Sequence, residues 1–215
     1  MKTYFSLALL LLLLFISCNR IGIPENKKVY YKFTAEDYKY IPDKYANMKG
    51  SIITYKSSSN EEIQLKVEGY GLSENNYLKG QYFGTDYYND GIGMTLKFLN
   101  ASNDCAKIIV DISKYENNVI GYNFNASGDN KFFSGGCGGF IYYLNLPQDL
   151  GTLQKMTVNN ITYAYVYTIN CIDISSFGDI YLNPNFQFDK IYFDLKQGVI
   201  GVKNANNQET YWIQP

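Results

Sequence analysis

Along most of the chain, apolar and polar residues alternate with a period of two, in short segments rich in Ile, Val, Tyr, Phe and Thr. A strand turns successive side chains to opposite faces, so this period predicts half-buried β-strands and little helix. Residues 51–55 and 62–67 alternate around the polar loop 56–61 and predict a hairpin with Ile63, Leu65 and Val67 on its inner face. Further strands are predicted at 28–33, 77–83, 94–99, 106–112, 119–124, 140–144, 157–161 and 162–169, separated by turns rich in Asn, Asp, Ser and Gly. Tyr163, Tyr165 and Tyr167 form one stripe of the last of these, a pattern that favours core packing or cross-strand pairing. The carboxyl end predicts a meander of 188–195, 199–203 and 209–213, with Gly198 and the Asn-rich turn at 204–207 supplying positive φ. Thr34 and Asp37 have capping-box character and predict one helical turn, which Pro42 keeps short. The expected fold is all-β and mainly antiparallel, a β-sandwich or an open or closed barrel.

The amino terminus departs from this pattern. Residues 1–17 read MKTYFSLALLLLLLFIS, with Lys2 as the sole charge and an apolar run from Leu7 to Ile16. The run is shorter than the roughly 20 residues a spanning helix needs, so it reads as a secretory leader. Leu14 to Cys18 resembles a bacterial lipobox, which makes Cys18 the first mature residue and the carrier of the lipid. Acyl chains contribute about 0.8 kcal/mol per buried methylene, so several of them tether a water-soluble fold to the membrane. After Cys18 come Asn19 and Arg20, without the aspartate of inner-membrane retention and without an acidic export cluster. The expected place is the outer membrane, facing the periplasm. Residues 18–27 then form a tether, and 28–215 a single antiparallel β domain.

Charge and composition narrow the partners. Nineteen Lys and Arg stand against 20 Asp and Glu, scattered and without a basic block, which argues against nucleic acid. The absence of histidine removes Ser–His triads, Cys–His dyads, His-ligated zinc and His-ligated haem. No cofactor and no metal is expected.

The leader ending FISC, the hairpin ITYKSSSNEEIQLKV at 53–67 and the ending KIYFDLKQGVIGVKNANNQETYWI at 190–213 together resemble uncharacterised lipoproteins of the flavobacterial (Bacteroidetes) group. The resemblance implies compartment and fold class. It brings no catalytic residue.

Four places invite a search for chemistry. Residues 86–91 (DYYNDG) begin like a calcium loop, but Tyr88 and Lys97 occupy ligand positions, so a polar turn is expected there. Carboxylate catalysis needs two acids converging in a cleft, which sequence alone does not show for Asp104, Asp111, Asp173, Asp179 or any other pair; isolated Asp residues beside Asn and Gly read as turn formers. The stretch SGGCGGF at 134–140 fits no phosphate-binding loop, and its glycines read as a strand-to-strand connection. Of the four cysteines, Cys18 goes to lipid, leaving Cys105, Cys137 and Cys171 as disulfide candidates in an oxidising compartment, with Cys105–Cys137 the preferred pair. The expected function is binding or structural and not catalytic. A glycan- or small-ligand-binding module is the alternative, with Tyr82, Tyr87, Tyr88, Tyr142 and Tyr143 as stacking residues, and a carboxylate-dependent hydrolase is a further one. An envelope protein is another possible partner.

Overall fold

The computed structural model describes residues 29–78, 87–99, 101, 105–130, 137–171, 180–183 and 186–215. Thirteen strands lie among them: β1 (Val29–Tyr31), β2 (Ile52–Lys56), β3 (Glu62–Leu78), β4 (Tyr87–Phe98), β5 (Lys107–Lys114), β6 (Ile120–Asn130), β7 (Cys137–Leu146), β8 (Gln154–Val158), β9 (Ile161–Asn170), β10 (Ile180–Asn183), β11 (Phe186–Asp194), β12 (Gly198–Asn204) and β13 (Thr210–Ile213). They make one sheet in the order β10-β6-β5-β4-β3-β2-β13-β12-β11-β9-β8, with β7 on β6 and β1 on β4. The β1–β4 pair is parallel, and the other described pairs are antiparallel.

This sheet is curled, not flat. Short β10 pairs with both β6 and β11, which have six other strands between them in the order, so the sheet bends back on itself into a half-barrel. Of the expected architectures, one curled, barrel-like sheet is observed, and a sandwich of two separate sheets is not. The inward residues are those the alternation assigns: Ile63, Leu65 and Val67 on β3, Met94 and Leu96 on β4, Ile108, Val110 and Ile112 on β5, all buried. Opposite walls meet through aromatic rings, Phe98 on Phe188 at 5.4 Å and Phe124 on Phe193 at 4.9 Å between centroids.

The hairpin at 51–67 and the final meander are found as expected, with Ile53 facing Leu65 and Phe193 facing Val199. Gly198 has φ 74°, and the Tyr45 ring lies where its Cβ would stand, so both the turn and the packing require glycine. The next turn differs: its positive φ belongs to Gln208, not to an asparagine. Three other expectations are corrected. Residues 87–91 are not a turn but part of β4, where the backbone has ladder partners on both sides and Asp90 accepts bonds from the Tyr30 hydroxyl (2.5 Å) and the Phe33 amide (2.9 Å). The strand expected at 157–161 is broken by Asn159 and Asn160, both at positive φ, which turn β8 into β9. Within SGGCGGF, Cys137 to Phe140 belong to β7 and not to a loop, because each has a ladder partner on β6. The tyrosine stripe of β9 also divides: Tyr165 packs edge-on against Tyr40 and Tyr167 against Phe124, while Tyr163 sits in a small separate cluster with Val166 and Ile200. The strand expected at 77–83 is met by β3 up to Leu78, and its remainder lies outside the described residues.

One end of the half-barrel is covered by the segment between β1 and β2. Its first turn is the predicted cap: the Thr34 amide donates to Asp37 Oδ2 at 2.7 Å and the Asp37 amide to Thr34 Oγ1 at 3.3 Å. Ile41 and Tyr45 enter the core, and Lys196 holds the outer side through Asp43 at 2.8 Å. Beneath the cap Lys114, inward on β5, reaches Asp37 at 2.9 Å, with the two side chains 4% and 9% exposed. Such a pair contributes little net stability because of desolvation, yet removing one partner strands the other charge. Lys114→Met is therefore expected to lower the unfolding free energy by about 3–5 kcal/mol in urea titration, and the double variant Asp37→Leu with Lys114→Met to be more stable than Lys114→Met alone.

Candidate functional site

Alternation that fills the interior also sets the outward face. Between β3 and β7, one row of ladder partners runs Gly71, Gly93, Asp111, Asn123, Tyr143, on five consecutive strands. The row on one side is Gly69, Thr95, Ile109, Asn125, Ile141, and on the other Ser73, Gly91, Ser113, Gly121, Asn145. These residues alternate with the buried Met94, Val110 and Phe124, so they occupy the opposite face.

The glycines make this face low. A Cβ built on Gly69 or Gly71 meets nothing within 4 Å, and one on Gly93 meets only Asp111 Oδ1, at 3.4 Å. The floor is open backbone, bounded by Tyr143 at the β7 side, 65% exposed, and by Tyr115, whose ring lies against Gly121. Partial burial raises the pKa of the Asp111 carboxyl above its ordinary value. Of the outward positions in the three rows, Asp111 alone carries a carboxylate and none carries a cation. The nearest lysines, Lys66, Lys97 and Lys107, stand one row beyond, and the last two are drawn to Glu68 at 3.9 and 3.3 Å.

Two amides on this face have unpaired polar atoms. Asn123 Oδ1 is buried without a hydrogen bond, and both polar atoms of Asn89, which is 1% exposed, are likewise unpaired. Asn89 points to the same side as Gly91 and Gly93, next to the edge-on pair Tyr31 and Tyr87 at 5.6 Å. An unmet buried polar atom costs about 1–3 kcal/mol, so these amides are poised to accept a partner. The arrangement offers neutral donors and acceptors on a flat backbone floor, suited to holding a ligand. Among the described residues, no group of three or more His, Cys, Asp or Glu is placed to hold a metal ion.

The tyrosines singled out from the sequence do not converge. Tyr143 stands on the outward face. Tyr142, its neighbour in β7, turns to the opposite side, and its hydroxyl donates to the Asn170 carbonyl at 2.5 Å. Tyr87 faces outward against Tyr31, while Tyr88 has the inward parity of Asp90 and is half-buried. Tyr82 and Cys18 lie outside the described residues. Cys171 is corrected as a disulfide candidate: it is a free, buried thiol whose pKa burial raises. Cys105 begins the approach to β5, with its carbonyl accepting from Ser127 Oγ at 2.5 Å, and Cys137 pairs with Asp129 across β6 and β7. Asp111, Asn123 and Asn89 were not singled out as a group. The available clue was the spacing GYG at 69–71 and GIG at 91–93, which sets small residues on one face of adjacent strands.

Asp111 supplies a pH test. A carboxyl with a raised folded-state pKa disfavours the fold while ionised, and the penalty is relieved as pH falls through that pKa. Asp111→Asn is expected to raise the urea midpoint at pH 7, with the advantage shrinking as pH is lowered toward the ordinary value of 3.8; an equal advantage at both pH values would contradict it.

Compared with protein-family models, curated proteins and solved structures, the chain matches none of them.

Proposed function

We propose that this protein is a lipid-anchored lipoprotein of the outer membrane, facing the periplasm, that works by binding and not by catalysis. The observation that carries the reading is the open outward row from Gly71 to Tyr143, where Asp111, Asn123 and Tyr143 stand beside a glycine floor and Asn123 Oδ1 has no hydrogen-bond partner. The leader and Cys18 support the anchor, and the resemblance to flavobacterial lipoproteins agrees with it. Ten residues, 18–27, separate lipid from fold and reach up to about 35 Å when extended, enough to turn the outward face away from the bilayer. A two-carboxylate hydrolase would need a second acid beside Asp111, and the outward rows offer none.

A disulfide between Cys105 and Cys137 belongs to the same reading. Cys171 is free, which leaves Cys105 and Cys137 as the pair once Cys18 carries lipid. Closing that loop contributes about 3–4 kcal/mol on a chain-entropy account.

Metabolic labelling with a fatty-acid analogue tests the anchor. The wild-type protein is expected to take up label and sediment with membranes, and Cys18→Ala to lose both; label retained by Cys18→Ala contradicts the assignment.

A further inference from the structure

We propose that the glycine-floored trough on the outside of β3 to β7 is a binding site for a neutral oligosaccharide, with Tyr143 stacking on a sugar ring and Asn123 and Asn89 bonding its hydroxyls. The inference rests on the binding reading above and names its ligand class.

Three features select this chemistry. First, the floor at Gly71 and Gly93 has no side chain above it, so a flat ring can lie against the sheet backbone. Tyr143 beside it presents an exposed aromatic ring, a surface suited to the apolar face of a pyranose. Second, an asparagine side chain both donates and accepts, as a hydroxyl does, and a polyol carries both in a row. Asn123 Oδ1 and both polar atoms of Asn89 are buried and unpaired, so a ligand hydroxyl would meet capacity that the protein leaves unused. Third, the three rows carry no cation and one carboxylate, which disfavours nucleic acid, phosphate and acidic glycans. By register, Ile109 and Ile141 are the aliphatic residues in these rows, too little for a lipid or a protein hot spot.

The geometry also sets the length. Asn89 lies four residues from Gly93 along β4, about 13 Å at strand rise, so a ligand touching both amides is longer than one sugar ring. Asn89 is covered in the free protein, and the Tyr31–Tyr87 pair beside it is the part that must move for contact. Tyr143 engages without that movement, whereas Asn123 Oδ1, also covered in the free protein, is reached only once its own cover shifts.

The test uses the mature chain with neutral hexasaccharides of glucose, mannose, xylose and N-acetylglucosamine as probes, read by calorimetry and by side-chain amide NMR. At least one probe is expected to bind and to shift the Asn123 and Asn89 amide signals. Tyr143→Ala and Gly93→Leu should each weaken it at least about tenfold. Their urea midpoints should stay near wild type, because Tyr143 is exposed and the Gly93 floor is open. Tyr165→Ala, an exposed ring on β9, should leave affinity unchanged. Failure of every probe to bind overturns the proposal. Binding that both trough variants leave intact overturns the site while the binding reading stands. Cleavage of a probe overturns the non-catalytic reading, and the proposal with it.

Discussion

Phe124 of β6 and Phe193 of β11 meet edge to face, 4.9 Å between centroids and 71° between planes, and the rest of the structure depends on that meeting. The two strands have six others between them in the sheet, so their rings can touch only if the sheet curls. Curling turns one face into an interior, and Tyr122, Phe98 and Phe188 extend the same contact along it. Each such aromatic pair is worth about 0.5–1.5 kcal/mol beyond the area it buries. β10 then bridges β6 and β11 by backbone bonds, and the segment with Ile41 and Tyr45 covers an end.

The same curl also sets what the outside has to do. One sheet that supplies its own opposing wall needs no second layer, so the outward face of β3 to β7 is left without a packing duty. Glycine at positions 69, 71, 91 and 93 would weaken an ordinary strand, since it gives nothing to pack and loses entropy on folding. Here the inward residues between them, Tyr70, Ile92 and Met94, hold the strands, and the outward glycines lower the surface. The polar groups above that floor are anchored by the core beneath: Asn123 lies between Tyr122 and Phe124, and Asp111 between Val110 and Ile112. Positions fixed in this way are the ones from which a binding site gains orientation.

Period-two alternation made the strands and their inner faces legible, as in Leu65 and Val67 or Val110 and Ile112, because each strand is buried on one side. Turns with a strong local cause were legible too, as at Gly198. What failed was decided by long-range pairing. Residues 87–91 carry the Asp, Asn and Gly of a turn, yet β1 and β3 supply ladder partners and Tyr30 satisfies Asp90, so the segment is strand. The outward row was hidden for the same reason: Asp111, Asn123 and Tyr143 are 12 and 20 residues apart in sequence, and only the register of β5, β6 and β7 makes them neighbours. Tyrosine abundance misled because it names no face, and adjacent Tyr142 and Tyr143 turn opposite ways.

The account assigns each side chain of the curled sheet to an inside or an outside, and proposes binding on the outside. The most direct test is side-chain NMR with a soluble paramagnetic agent added. Ring contacts between Phe124 and Phe193 are predicted, with both rings protected from the agent, while Tyr143 is strongly attenuated. Attenuation of Phe124, or protection of Tyr143, would contradict the inside-and-outside assignment on which the binding face depends.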